Sequence, residues 1–395
     1  MSRPLPAGFR RTFRRELRRI AHQPRLAFML GPFPLILMLL LSAVFAPGLP
    51  SNLPVAVVDQ DGTTLSRQAV RMIDATADLA VTVRATSLAE AQDALVSGAV
   101  YAVIFIPQSM GRDLLQGNRP ELVTFYNNQF LTVGGIVSRA SRQAMGTFSA
   151  GVATQALIAN GAVPEAAVEA VVPIPVQRSP LFNPALDYVQ FLLAALMPTV
   201  LQIFITASAA LTIGSDVQHP NGMARLTRIG GSSITGIAGK LAPYGLAYLL
   251  TLIFADVIIF GAFDAPFSGN IWLHGAYSAG FVLACLCLGG MLAMIAGETV
   301  GALGLTGVLT GPAFGFAGIS FPRITMNTFA WIWGGLLPLT AYLQLRTDQV
   351  LRGAPIEVSL PAFGWLLGQI LLYGSVLVFL VARSAQVPAK QASTA

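Results

Sequence analysis

The residues of this chain that could do covalent chemistry are few, and their spacing does not gather them. Asp59 and Asp61 bracket a turn that includes Gly62, as at the opening of a calcium loop, but the remaining ligands of such a loop are missing. They read as turn-forming aspartates. His22, His219 and His274 fall in separate regions, so neither a zinc cluster nor a hydrolytic triad is indicated. Cys285 and Cys287 lie in one apolar run, where neighbours two apart on a helix point to nearly opposite sides, and both read as small packing residues. A phosphate loop requires G-x-x-x-x-G-K-[ST]. The nearest match ends in Gly239 and Lys240 but has Ile234 in place of the first glycine and Leu241 in place of the hydroxyl. No catalytic residue, cofactor site or metal site is therefore assigned, and the chain is not expected to hydrolyse ATP. What remains is Asp256, a carboxylate inside an apolar run, which by default marks a substrate or gating site. Sixteen residues beyond Lys240, it lies about 24 Å along a helix, toward the outer leaflet, where the alternative is a carboxylate that simply reaches the outer headgroups.

The elements that must position these residues are membrane helices. Of 395 residues 54% are hydrophobic and 11% charged, more apolar surface than one soluble core can hide. A hydrocarbon core about 30 Å thick needs roughly 20 apolar residues of helix. Six stretches qualify, 26–46, 189–213, 241–263, 271–295, 300–319 and 360–382, and a seventh at 326–343 is ambiguous. The first follows an arginine-rich region, as a signal peptide would. It exceeds the roughly 7–15 residues of such a core, and Pro47 follows the only plausible cut, so it reads as an uncleaved anchor.

A net charge of +6 raises the question of nucleic acid, but the basic residues cluster just before the first apolar run, which is how membrane proteins mark their cytoplasmic side. No nucleic-acid partner is expected. With the N-terminus in the cytoplasm, the thirteen basic residues Arg3, Arg10, Arg11, Arg14, Arg15, Arg18, Arg19, Arg25, Arg225, Arg228, Lys240, Arg383 and Lys390 lie inside, against Glu16, Asp216 and Glu298. The segment after the first span carries eight basic residues (Arg67, Arg71, Arg84, Arg112, Arg119, Arg139, Arg142, Arg178) and eleven acidic ones, and is placed outside. Within 1–25, Phe9, Phe13, Leu17 and Ile20 recur at helical steps beside the arginines, a basic amphipathic helix suited to the headgroup plane.

The segment 47–188 alternates strand-like runs (VAVVD, LAVTV, YAVIFI, ELVTFY) with helix-like ones, which predicts an inserted α/β domain. Ser87 and Glu90 have the spacing of a capping box. From Phe130 to about Asn160 nothing breaks a helix, and apolar residues keep helical spacing, which predicts one long helix. An extended return to the membrane is expected over 173–184.

In the fifth span and its entry, Gly297, Gly301, Gly304, Gly311 and Gly315 put small residues on one face, either a translocation wall or an ordinary packing seam. The largest cytoplasmic loop, 214–239, contains NGMARLTRIGG and then GKLAPY. With the domain opening PVAVVDQDGTTLSRQAV, its continuation SLAEAQDALVSGAVYAVIFIPQSM, the exit AGISFPRITMN and the following LLPLTAYLQLRTDQVLRGA, the chain resembles the type-2 ABC transporter permeases, in the branch with a large domain between the first two spans.

That resemblance implies the membrane subunit of an ATP-driven exporter, working with two separate ATP-binding cassette ATPase subunits, which bind ATP and Mg, and with a second permease copy in a homodimer or heterodimer. A periplasmic adaptor is a further implied partner. The resemblance implies a coupling helix at about 221–229, where Asn221, Gly222, Met223, Arg225, Leu226 and Arg228 would meet the ATPase. The chain departs from the family's more acidic loop entry at Ser215, Asp216, Val217, Gln218 and His219, which bears on the ATPase it accepts. Gly334, Gly335 and Pro338 would break a span, and the family has a re-entrant outer-leaflet hairpin there. The expected fold is thus an α-helical polytopic bacterial inner-membrane protein. Its parts are a cytoplasmic helix (1–25), a first span (26–46), a periplasmic α/β domain (47–188), a five-helix region (189–382) with coupling loop 214–239 and re-entrant segment 324–344, and a cytoplasmic tail (383–395). Apolar walls point to hydrophobic or amphiphilic cargo. The rivals are a non-transporting sensor with a periplasmic ligand-binding domain and a membrane enzyme, the latter disfavoured by the scattered chemistry above.

Overall fold

The computed structural model describes residues 6–46, 48, 50–116, 118, 120–129, 131–171, 181–183 and 187–391. Pro47, Phe130, Arg3, Arg119, Arg178 and most of the extended return expected over 173–184 lie outside them. The chain divides into two compact units, Leu49–Pro180 and the remainder.

The N-terminal part of the larger unit has three helices, α1 (Phe9–His22), α2 (Pro24–Leu30) and α3 (Pro32–Phe45). Pro24 and Pro32 each sit at the start of a helix, where a missing N–H costs nothing. Together α2 and α3 form the first of six helices, among the described residues, long and apolar enough to cross a membrane. The apolar stripe of α1 is only partly the face that the fold buries, since Ile20 alone of its four residues is fully inside. Thr12, Glu16 and Ile20 are buried, while Phe9 and Leu17 stay exposed.

The smaller unit contains β1 (Leu53–Asp59), α4 (Thr64–Asp74), β2 (Leu79–Ala85), α5 (Leu88–Val96), β3 (Ala102–Ile106), α6 (Met110–Leu115), β4 (Val123–Tyr126), α7 (Leu131–Ala159) and α8 (Pro164–Val171). The sheet order is β2-β1-β3-β4, with β1 parallel to both neighbours and β4 antiparallel to β3. β1 is central, and Val55, Ala56, Val57 and Val58 are all buried because both of its faces are covered. One face packs Val55, Val57, Ile104 and Ile106 against Ile73 of α4 and Ile136, Val137 and Phe148 of α7. The other packs Ala56, Val58 and Val103 against Ala91 of α5. α5 starts with Ser87 accepting the Glu90 N–H at 3.2 Å, while the Glu90 carboxylate accepts the N–H and hydroxyl of Thr86 at 2.8 and 2.9 Å. Those bonds, the backbone one foremost, hold the Glu90 carboxyl below the ordinary glutamate range.

The remainder of the larger unit comprises α9 (Ala194–Val217, entered through a π-helical turn at Val189–Leu193), α10 (Gly222–Gly230), α11 (Ser233–Val257), α12 (Ile271–Ala296), α13 (Thr299–Thr310), α14 (Ala313–Phe316), α15 (Thr328–Gly335), α16 (Pro338–Arg346) and α17 (Ile356–Gln391). α12 lies against α9 and α17, and its buried Tyr277, Phe281, Ala284 and Cys285 share a core with Ile205, Tyr244, Tyr342 and Leu366. Little of 214–239 is irregular. α9 runs on to Val217 and α11 begins at Ser233, because polar helix ends are as regular as apolar middles. α17 likewise continues past residue 382 to Gln391.

The ambiguous seventh stretch is two short helices, α15 and α16, broken at Leu336 and Leu337. Side chains from other helices satisfy the backbone groups that the break frees. Trp365 Nε1 and Gln369 Nε2 donate to the Gly335 carbonyl at 2.9 and 2.8 Å, Tyr373 donates to the Leu336 carbonyl, and Gln202 Oε1 accepts the Leu339 N–H at 2.8 Å. An apolar surrounding makes such pairing obligatory.

Candidate functional site: a cationic helix and two buried ion clusters

α10 begins at Asn221, whose φ of 60° is left-handed, and ends at Gly231, with φ of 78°. These two reversals isolate nine residues as a separate helix between α9 and α11. Its faces are chemically distinct: Met223, Leu226 and Gly230 are buried, whereas Arg225 and Arg228 are exposed. Met223 and Leu226 are both committed to the core of this chain, and Leu226 is 0% exposed. Of the expected coupling residues, Asn221, Arg225 and Arg228 remain available.

Beside α10, α1 lies on α11. A Cβ on Gly239 would stand 2.7 Å from the Phe9 carbonyl oxygen, so this contact requires glycine. It brings Glu16 to Lys240. Lys240 Nζ is 3.4 Å from Glu16 Oε2 and 2.9 Å from Asp216 Oδ2, and its side chain is 1% exposed. Tyr244 and Thr212 donate to Glu16 Oε1, each at 3.0 Å, and Arg19 bridges Glu16 (3.4 Å) and Ser215 (3.1 Å). Charges are retained in such surroundings only when paired and hydrogen-bonded. The cluster ties α1, α9 and α11 into one assembly flanking α10. No spacing in the sequence relates Lys240 to Glu16, and the one local signal is the lone acid in an arginine-rich helix.

The second cluster surrounds Asp256. Arg346 Nη1 lies 2.7 Å from Asp256 Oδ1, and His274 Nε2 lies 2.7 Å from Oδ2. His274 Nδ1 meets the Tyr277 hydroxyl, Arg346 Nη1 also reaches the Tyr342 hydroxyl at 3.2 Å, and the guanidinium sits 5.4 Å from the Phe260 ring centroid. Asp256 is thus occupied rather than reaching for solvent. It joins α11, α12 and α16. His274 and Arg346 were not assigned from sequence, because partners 18 and 90 residues away leave no spacing signal. Arg346 also lines a cavity of about 250 Å³ with Gln190, Phe191, Ile259 and Leu343.

The glycine face of the fifth span does not pack within the chain. Cβ atoms on Gly304 and Gly315 would meet nothing within 4 Å, Gly301 faces Glu298 of its own helix entry, and Gly311 faces the carbonyl of Gly307. Gly297, with φ of 71°, ends α12. Close helix approach occurs instead at Gly289 of α12, where a Cβ would collide with the Thr206 carbonyl of α9.

In the smaller unit, Asp59 Oδ1 accepts the N–H groups of Asp61 and Gly62, each at 3.0 Å, and Oδ2 accepts the Ser66 hydroxyl at 2.8 Å. Asp61 Oδ2 accepts from the Thr63 hydroxyl and from the Gly111 N–H. Both carboxylates are engaged in holding the turn.

Six apolar helices around shared buried cores define a multi-pass α-helical membrane protein. Residues 25–379 match the family described as ABC-2 family transporter protein, and the chain belongs to that family. It is a membrane transport component of the ABC-2 type, not itself catalytic. None of the curated proteins matches it.

Proposed function

We propose that the chain is the permease subunit of an ATP-driven exporter that works as a pair of permease copies with two ATP-binding cassette subunits. ATP and Mg belong to those partners. The observation that carries this reading is α10, a short helix anchored by Met223 and Leu226 and presenting Arg225 and Arg228 outward. It stands next to the Glu16–Lys240–Asp216 cluster, so a push on α10 is borne by α1, α9 and α11 together. ATP binding can drive transport only if the two conformations bind the nucleotide with different affinity, and a rigid assembly at the contact passes that difference to the spans.

In this reading α1, α10 and both chain ends face the cytoplasm of a bacterial inner membrane, and the α/β unit faces the periplasm, where it would receive cargo or meet an adaptor. The arginine-rich N-terminal segment supports the orientation. The pair α15–α16 is a re-entrant hairpin in the outer leaflet, held by Trp365, Gln369, Tyr373 and Gln202. The Asp256–Arg346 pair links that hairpin to the third span and gates the outer end of the pathway. The open face at Gly304 and Gly315 receives the second copy. Cargo is hydrophobic or amphiphilic, consistent with the apolar cavity walls.

The test is ATP hydrolysis and export by the reconstituted complex carrying Arg225→Glu and Arg228→Glu. Hydrolysis should lose its dependence on cargo, and export should fall at least tenfold while the permease stays folded. Unchanged coupling would remove α10 from the contact.

A further inference from the structure

A trough of about 660 Å³ runs between the α1–α2 junction and the flank of α9, and its chemistry changes along its length. One end is cationic. Arg19 is fixed there by its 3.1 Å bond to Ser215, and His22 and Arg25 line the same end. The His22 Nδ1–H donates to the Arg18 carbonyl at 2.7 Å, which fixes the ring at the wall of this end. Arg25 is exposed and has no hydrogen-bond or ion-pair partner among the described residues. Moving along the trough, the lining becomes Leu26 and Met29 on α2 and Leu211, Ala207, Phe204 and Ile203 on α9. The ring of Phe33 closes on Phe204 at 5.4 Å, so α2–α3 and α9 remain together to the apolar end.

Length and charge select the occupant. From Ser215 to Ile203 is twelve residues of one helix (215 − 203 = 12), or about 18 Å, comparable with the roughly 15 Å of one leaflet of a hydrocarbon core. No Asp or Glu lines the trough among the described residues. Glu16 is held by Lys240 and by Arg19, and Asp216 by Lys240, so Arg25 is the cation of this end that no acid offsets among the described residues. A cationic mouth and an apolar channel that together run about the depth of one leaflet match a molecule with an anionic head and an acyl tail.

We propose that this trough binds an anionic glycerophospholipid of the adjoining leaflet, its phosphate against Arg25 and Arg19 and one acyl chain along α9. The proposal rests on the cytoplasmic placement of α1 given above, since that placement puts Arg25 at the inner headgroup level. The site would couple the lipid to the same helices that the Glu16–Lys240 cluster joins.

The experiment is native mass spectrometry of the delipidated full-length protein, titrated in detergent with phosphatidylglycerol or with phosphatidylcholine of the same chains. Wild type should bind one phosphatidylglycerol per chain in preference to phosphatidylcholine. Arg25→Gln should weaken phosphatidylglycerol about fivefold and leave phosphatidylcholine unchanged, and Arg25→Lys should restore most of the difference. Ala207→Trp, which fills the apolar channel, should lower occupancy by both lipids. Equal binding of the two lipids by wild type, or a preference that survives Arg25→Gln, overturns the proposal. So does an Ala207→Trp variant that changes the oligomeric mass but not lipid occupancy, since a second copy then covers the trough. The measurement needs no ATPase, so its failure leaves the exporter reading standing, whereas an N-terminal tag accessible only from the periplasm would sink the orientation on which both rely.

Discussion

Lys240 Nζ stands 2.9 Å from Asp216 Oδ2, and this contact, with Glu16 on the other side of the ammonium at 3.4 Å, makes one lysine the counterion of two buried acids on two different helices. Removing one partner of such a cluster costs more than the pair contributes, because a buried charge is left alone. Lys240→Met is expected to destabilise the protein by about 3–5 kcal/mol, read by denaturant unfolding in detergent. Adding Glu16→Gln and Asp216→Asn should recover most of that loss. If Lys240→Met unfolds like wild type, the cluster contributes nothing to the assembly.

α10 has one face for packing and one for contact, and the two should separate experimentally. Leu226→Ala removes a fully buried side chain and is expected to cost about 2–5 kcal/mol. Arg225→Ala, on the exposed face, should leave stability within about 0.5 kcal/mol yet weaken stimulation of the ATPase. Unfolding curves and hydrolysis rates on the same preparations decide the matter. Equal stability of the two variants would contradict the assigned faces.

The Asp256–Arg346 pair predicts a strict requirement for geometry. Asp256→Ala strands a buried guanidinium and should destabilise by about 3–5 kcal/mol. Arg346→Lys keeps the charge, but a compact ammonium gives up the planar guanidinium's seat 5.4 Å from the Phe260 ring centroid, so export should drop even if the protein folds. Export by Arg346→Lys at the wild-type rate would show that charge alone suffices.

The open glycine face predicts an effect on association without one on folding. A Cβ on Gly304 would meet nothing within 4 Å beyond its own stretch of helix, so the thermal midpoint of Gly304→Leu in detergent should match wild type, while cysteine cross-linking between copies at neighbouring positions should fall several-fold. A lowered midpoint with intact cross-linking would place the second copy elsewhere.

Much of this architecture is readable from local pattern. The runs VAVVD and AVIFI alternate with helical stretches and lie in strands β1 and β3, and Ser87 with Glu90 starts α5 as its spacing implies. The six apolar runs coincide with the six long apolar helices to within a few residues at most ends, since lipid solubility is a property of consecutive residues. The extension of α11 back to Ser233 was not legible, because its polar first turns carry no hydropathy signal. Nor was the buried face of α1: Phe9 and Leu17 of the stripe read as facing the headgroup plane are exposed, but nothing local shows that Thr12 and Glu16 meet α11, through a glycine 230 residues beyond Phe9 (239 − 9 = 230). Arg346 and His274 escaped for the same reason. Tertiary ion pairs join residues that no periodicity relates.

The most direct measurement is isolation of the protein from its native membrane in mild detergent, followed by mass determination of whatever accompanies it. A complex of two permease copies with two copies of an ATP-binding cassette subunit is predicted, and Arg225→Glu with Arg228→Glu should release the ATPase while the permease pair survives. A wild-type preparation with no stoichiometric ATP-binding protein, or a double variant that retains it fully, would contradict the role assigned to α10.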